Sequence, residues 1–77
     1  AAQNTAVSRR IFEERRASLT LREAEVMDLM LTGAMNKNIA DQLGIAIRTV
    51  EAHREKVLTK MCVRNALELA ALSNSAR

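Results

Sequence analysis

Apolar residues recur at helical spacing along this chain, and no stretch alternates with the period of two that a strand needs. After Thr20, the residues Val26, Met27, Met30, Leu31 and Ala34 repeat at helical spacing. The run Thr20-Leu21-Arg22-Glu23 has the S/T-x-x-E form of a capping box, so Thr20 and Glu23 are expected to satisfy each other's amides. Leu19 is placed to staple onto Ala24, and Gly33 to end the helix. A second stripe, Ile39, Ala40 and Leu43, predicts a short helix over 36–43 with Asn36 as its cap. A third, Ile47, Val50, Val57 and Met61, predicts a helix over 47–61 with His53 at the edge of its buried face. Its opposite face carries Arg48, Glu51, Ala52, Glu55, Lys56 and Thr59. The last helix is expected to start at an Asn65 cap and run to about Ser73. Ahead of all these, residues 6–17 (AVSRRIFEERRA) predict a charged, solvated linker helix with a narrow seam of Val7, Ile11 and Phe12. Residues 1–5 are expected to be disordered.

The fold class is therefore all-α: a compact four-helix bundle over residues 18–77 with a central helix-turn-helix, preceded by a linker over 1–17. Residues 36–57 carry the sharpest signal. Ala40 lies inside the first helix of the pair, where a larger side chain would push the second away. Gly44 follows where the chain must turn and a Cβ resists positive φ. Val50 comes next, on the face of the second helix that looks back at the first. This spacing is that of a helix-turn-helix, whose second helix enters the major groove of DNA.

Composition narrows the picture without deciding it. Seventy-seven residues make one domain with a small core, and a single aromatic residue, Phe12, leaves that core to aliphatic and methionine side chains. One cysteine (Cys62) and one histidine exclude an internal disulfide and make a protein-only metal site implausible; no cofactor is expected. No stretch approaches the roughly 20 apolar residues of a membrane span, and no signal peptide is visible, so no membrane partner and a cytoplasmic setting are expected. The chain starts AAQNTAV without an initiator methionine, as an excised or processed piece would. Net charge is +3, but from Ser18 to Ala76 basic and acidic residues balance. Position matters more than the total: Lys37, Arg48, Arg54, Lys56 and Lys60 all fall within the proposed DNA-facing motif. His53 has no nucleophile or carboxylate set around it in the sequence, so an enzyme is not expected.

The segments LTLREAEVM at 19–27, Gly33, NKNIADQLGI at 36–45, RTVEAHREKV at 48–57 and Lys60-Met61 resemble the LuxR-type helix-turn-helix domain. Within that superfamily the chain is most similar to the FixJ/NarL group of two-component response regulators, in which the domain follows a phosphorylatable receiver. The resemblance implies that Glu51, Ala52 and Glu55 occupy groove-reading positions. An acid there would accept from cytosine N4, and Ala52 would touch a thymine methyl. Arg54 is a candidate for a guanine edge or a phosphate. Lys37, Arg48, Thr49, Lys56 and Lys60 are candidates for phosphates, with Asn36 beside Lys37. Implied partners are double-stranded DNA, a receiver domain in the full-length chain and RNA polymerase.

Leu67, Leu69, Ala70, Ala71 and Leu72 leave the last helix almost without a polar face. One side would pack on the domain; the other, around Leu67, Ala70, Ala71 and Leu72, reads as a homodimer contact, against simple core burial. Three departures from the family pattern stand out: Ala46 replaces a serine-like cap, Cys62 replaces a glycine, and Ala34-Met35 precede Asn36 where a polar residue is common. Two competing readings remain, a sigma-factor-like promoter-reading domain and a helical protein-interaction module without DNA binding.

Overall fold

The structure is a computed structural model that describes residues 2–76, with side chains from Val7 to Ala76. Ala1, expected to be disordered, and Arg77, expected to add to the positive charge, lie outside the described residues. The described chain forms five helices and no strand: α1 (Ala2–Arg16), α2 (Leu21–Leu31), α3 (Asn36–Leu43), α4 (Ile47–Lys60) and α5 (Ala66–Ser75).

The capping box forms as its spacing predicts. The Glu23 amide donates to the Thr20 hydroxyl at 3.2 Å, and the Thr20 amide donates to Glu23 Oε1 at 3.0 Å. At the other end of α2, Gly33 takes φ +85°. Its amide donates to the Met30 carbonyl and that of Ala34 to the Leu29 carbonyl, closing a Schellman motif. Asn65 caps α5 by accepting from the Glu68 amide at 2.8 Å.

These helices meet in one core. Val26, Met27 and Met30 come from α2, Ile39 and Ala40 from α3, Val50 and Val57 from α4, and Leu69 from α5, with Met61 just past α4. Each fully buried aliphatic side chain contributes roughly 1.5–3 kcal/mol. Leu19, Leu43, Leu58 and Leu72 pack around this centre.

Two elements differ from expectation. Ile47, assigned to the core, is 47% exposed because it sits on the first turn of α4, beyond the crossing with α3. Residues 2–5 are helical, and α1 is bound to the domain rather than loose. Nothing in residues 2–16 breaks a helix, and Phe12 on this helix packs against the core. Three arginines then fasten it. Arg16 makes two hydrogen bonds to the Asp28 carboxylate, at 2.8 and 3.1 Å. Arg15 donates to the Met61 carbonyl at 3.0 Å, and Arg9 to the Ala76 carbonyl at 3.2 Å.

Glu23 is the one buried charged residue among those described. The Lys60 ammonium lies 2.7 Å from its Oε1, so α2 and the last turn of α4 are joined by an ion pair. The hydrogen bond from Lys60, and then that from the Thr20 backbone, favour the carboxylate and hold Glu23 below the ordinary value of 4.5. A depressed folded-state pKa stabilises the fold at pH above the unfolded value and is lost as pH falls through the folded one. Thermal unfolding should therefore show a stability loss on acidification from about pH 5 to pH 3. Glu23→Gln, which keeps an oxygen for the Thr20 amide, should make that acid limb shallower.

Cys62 carries strain. It is the only non-glycine residue with positive φ among those described, at +59°. Glycine has no Cβ to clash there, so Cys62→Gly should raise stability by about 1 kcal/mol, measured by urea unfolding.

Candidate DNA interface

The interface is built on the angle between α3 and α4. Ala40 is 4% exposed and Val50 wholly buried, so the two helices meet through small and branched side chains. Gly44 takes φ +67°, and beyond it the Ile45 amide donates to the Ala40 carbonyl at 3.1 Å. The chain thus reverses within the few residues between Leu43 and Ile47.

With Val50 and Val57 turned inward, α4 presents Arg48, Thr49, Glu51, Ala52, Glu55, Lys56 and Thr59 outward, all exposed. The expected reading positions Glu51, Ala52 and Glu55 thus share one solvent-facing surface. Glu51 and Glu55 are one helical turn apart on this surface. His53 is half-buried at the edge. Arg54 is half-buried too, and lies to one side of the expected reading face. It lines an open cleft of about 630 Å³ together with Met35, Asn36, Lys37, Asn38 and Ile47. That cleft is absent from any linear motif, because its walls also include Met30, Gly33 and Ala34 at and just past the end of α2 and Ala66 at the start of α5.

The starts of both motif helices are open. Asn36 does not cap α3 as expected: Met35 occupies the cap position and makes no side-chain hydrogen bond, while Asn36 is the first helical residue. Ala46 likewise caps α4 with no side-chain hydrogen bond. Helices α2 and α5 have side-chain caps; α3 and α4 leave first-turn amides free to meet an anion.

The cations separate in the same way. Arg16, Arg22, Lys60 and Arg64 are each paired with a carboxylate. Lys37, Arg48, Arg54 and Lys56 are in no ion pair among the described residues. Lys60 therefore differs from its expected role: its ammonium is engaged by buried Glu23, not held out toward a phosphate.

On α5, Leu67 is 79% exposed and Ala71 is exposed, whereas Ala70 and Leu72 are half-buried. Helix α1 packs along α5, and Leu72 faces the core cluster, so the free apolar strip is narrower than the composition implies.

The fold and this surface define a helix-turn-helix DNA-binding domain. Residues 17–73 match the family described as bacterial regulatory proteins, luxR family, and the chain belongs to that family. It is 63% identical over 51 residues to the C4-dicarboxylate transport transcriptional regulatory protein DctR of Rhodobacter capsulatus, covering 66% of this chain and 26% of that protein. It is 41% identical over 73 residues to the transcriptional regulatory protein FixJ of Bradyrhizobium diazoefficiens, covering 95% of this chain and 35% of that one. The structure superposes on full-length FixJ from B. japonicum with a TM-score of 0.89 at 36% identity, over 97% of this chain and 37% of that chain. The response regulator StyR gives 0.77 at 43% identity, over 82% of this chain and 32% of that one. The chain thus spans about a quarter to a third of the length of DctR and FixJ. It is a DNA-binding domain of transcription regulation and not an enzyme. No helix among the described residues is long and apolar enough to cross a membrane.

The missing cap on α4 gives a direct test. Ala46 has extended backbone, φ −70° and ψ 150°, which suits a capping side chain. Ala46→Ser should therefore raise unfolding stability by about 1 kcal/mol.

Proposed function

We propose that this domain reads a specific duplex sequence by laying α4 in the major groove, as one half of a homodimer on a two-fold-related site. The observation that carries this reading is the segregation of cations. Those outside the motif are largely held in ion pairs or by carbonyls; among the described residues Lys37, Arg48 and Lys56 are exposed and unpaired, and Arg54 is unpaired in its cleft, beside two uncapped helix starts. Phosphates are the anions that such a surface suits. Lys37, Arg48, Thr49 and Lys56 supply backbone contacts, with Asn36 beside Lys37. Arg54, set back in the cleft, takes a phosphate or a guanine edge. Glu51, Ala52 and Glu55 read bases, the acids restricting sequence more than they add affinity.

One such domain binds modestly, and two joined through α5 gain the second half-site. Leu67 and Ala71 form the centre of that contact, with Ala70 and Leu72 at its margin. In the full-length protein a receiver domain precedes this one in the cytoplasm, as the FixJ resemblance implies, and its phosphorylation frees the domain or promotes dimerisation. RNA polymerase is the downstream partner.

Selection from randomised duplex DNA at low salt should enrich a two-fold-related motif. Lys37→Glu with Lys56→Glu should weaken binding to that motif by roughly 100-fold and lower the salt dependence of log K by about two. Both residues are exposed, so unfolding stability should stay within about 0.5 kcal/mol of wild type. A domain that binds only protein would show no enriched motif and no response to these reversals.

A further inference from the structure

The C-terminal end of α4 leaves carbonyls that a helix cannot satisfy from within. Most are met locally. The Met61 amide donates to the Val57 carbonyl at 2.8 Å, Val63 to Leu58 at 3.0 Å and Cys62 to Thr59 at 3.1 Å. The Cys62 thiol lies 3.8 Å from the Lys60 carbonyl. The Met61 carbonyl is met from elsewhere: Arg15, 46 residues earlier on α1, donates to it at 3.0 Å. A guanidinium there also sits at the negative end of the α4 dipole. One residue before Met61, Lys60 is held by Glu23 of α2. The far end of α4 is thus gripped from two sides, by α1 and by α2.

Helix α1 is itself secured. Arg16, next to Arg15, clamps Asp28 of α2, and Arg9 holds the Ala76 carbonyl at the end of α5. Met61 follows Glu55 and Glu51 by about 1.7 and 2.8 helical turns, about 9 and 15 Å along the axis at 1.5 Å per residue. A small tilt at that end displaces the side chains that meet the bases, and such sites tolerate only about 0.5 Å or 10–20° of misplacement.

We propose that Arg15 is a positioning residue for DNA reading: by holding the Met61 carbonyl it fixes the angle of α4, so that the segment preceding the domain sets how well bases are read. This rests on α4 being the reading helix. Arg15 itself touches no DNA in this arrangement. Its loss therefore acts on sequence discrimination and leaves charge-driven affinity intact.

The test compares wild type, Arg15→Gln, Arg15→Lys and Arg10→Gln on two probes, the duplex enriched by selection and a scrambled duplex of equal length, across a salt series. Amide hydrogen exchange is followed at Cys62 and Val63. Arg15→Gln is expected to weaken binding to the selected duplex about 3- to 10-fold, to leave the scrambled duplex and the salt slope unchanged, and to speed exchange at both amides. Arg15→Lys, which keeps the charge and one donor, should fall between. Arg10→Gln removes the same charge from an exposed position on α1 and should treat both probes alike. Equal loss on both probes in Arg15→Gln with a shallower salt slope overturns the proposal, because Arg15 would then act as a charge facing DNA. Faster exchange with unaltered discrimination overturns it too, leaving a purely structural cap. If wild type itself prefers no sequence, the major-groove reading fails and this inference with it, whereas the exchange data still report whether Arg15 holds the end of α4.

Discussion

The close crossing of α3 and α4 is the constraint on which the domain depends. Ala40 and Val50 are buried where the two helices meet, and Gly44 makes the turn between them with a backbone that a Cβ would oppose. A larger residue at Ala40 would open the angle and displace the face of α4 that carries Glu51, Ala52 and Glu55 relative to α3 and Lys37. The rest of the bundle braces this crossing. Helix α2 underlies both motif helices with Val26, Met27 and Met30, and Leu69 of α5 closes the core.

How the helix ends are satisfied distinguishes scaffold from working surface. Thr20 and Asn65 cap α2 and α5 with side chains, and Glu23 completes its capping box while also pairing with Lys60. These ends are closed. The starts of α3 and α4 are not, since Met35 and Ala46 offer no side-chain acceptor. Some helix stability is forgone there, and backbone amides are left exposed where an anion is expected. Capping and anion binding draw on the same groups, and side-chain caps close the starts of α2 and α5 but not those of α3 and α4.

The charges follow the same division. Basic and acidic residues balance from Ser18 to Ala76, so net charge over that span supplies no attraction for DNA. The proposed attraction rests on which cations are already engaged. Asp28 and Glu23 hold Arg16 and Lys60, and the Met61 and Ala76 carbonyls hold Arg15 and Arg9. Lys37, Arg48, Arg54 and Lys56 remain on the α3–α4 surface. Glu51 and Glu55 lie on the same face, and in the proposed reading they restrict sequence more than they add affinity.

Much was legible in the sequence because its determinants are local. Helical periodicity, the Thr20-Glu23 box, Gly33, Gly44 and the Asn65 cap each act within a few residues, and all of them appear at the predicted places. The outward face of α4 followed from the inward positions of Val50 and Val57. Other features needed the folded chain, because they join residues far apart in sequence. No pattern within 6–17 shows that Arg15 will reach Met61, or that α1 will cover part of α5. Nothing near Lys60 announces that Glu23 will take its charge. The cleft that Arg54 lines exists only once α2, α3, α4 and α5 have packed together. Ile47 and Asn36 were misplaced because each is the first residue of its helix: Asn36 falls one place past the cap, and Ile47 lies where the helical period begins but burial is incomplete. The sequence by itself determined which residues are helical and which face is buried; only tertiary packing decided which charges remained free to meet another molecule.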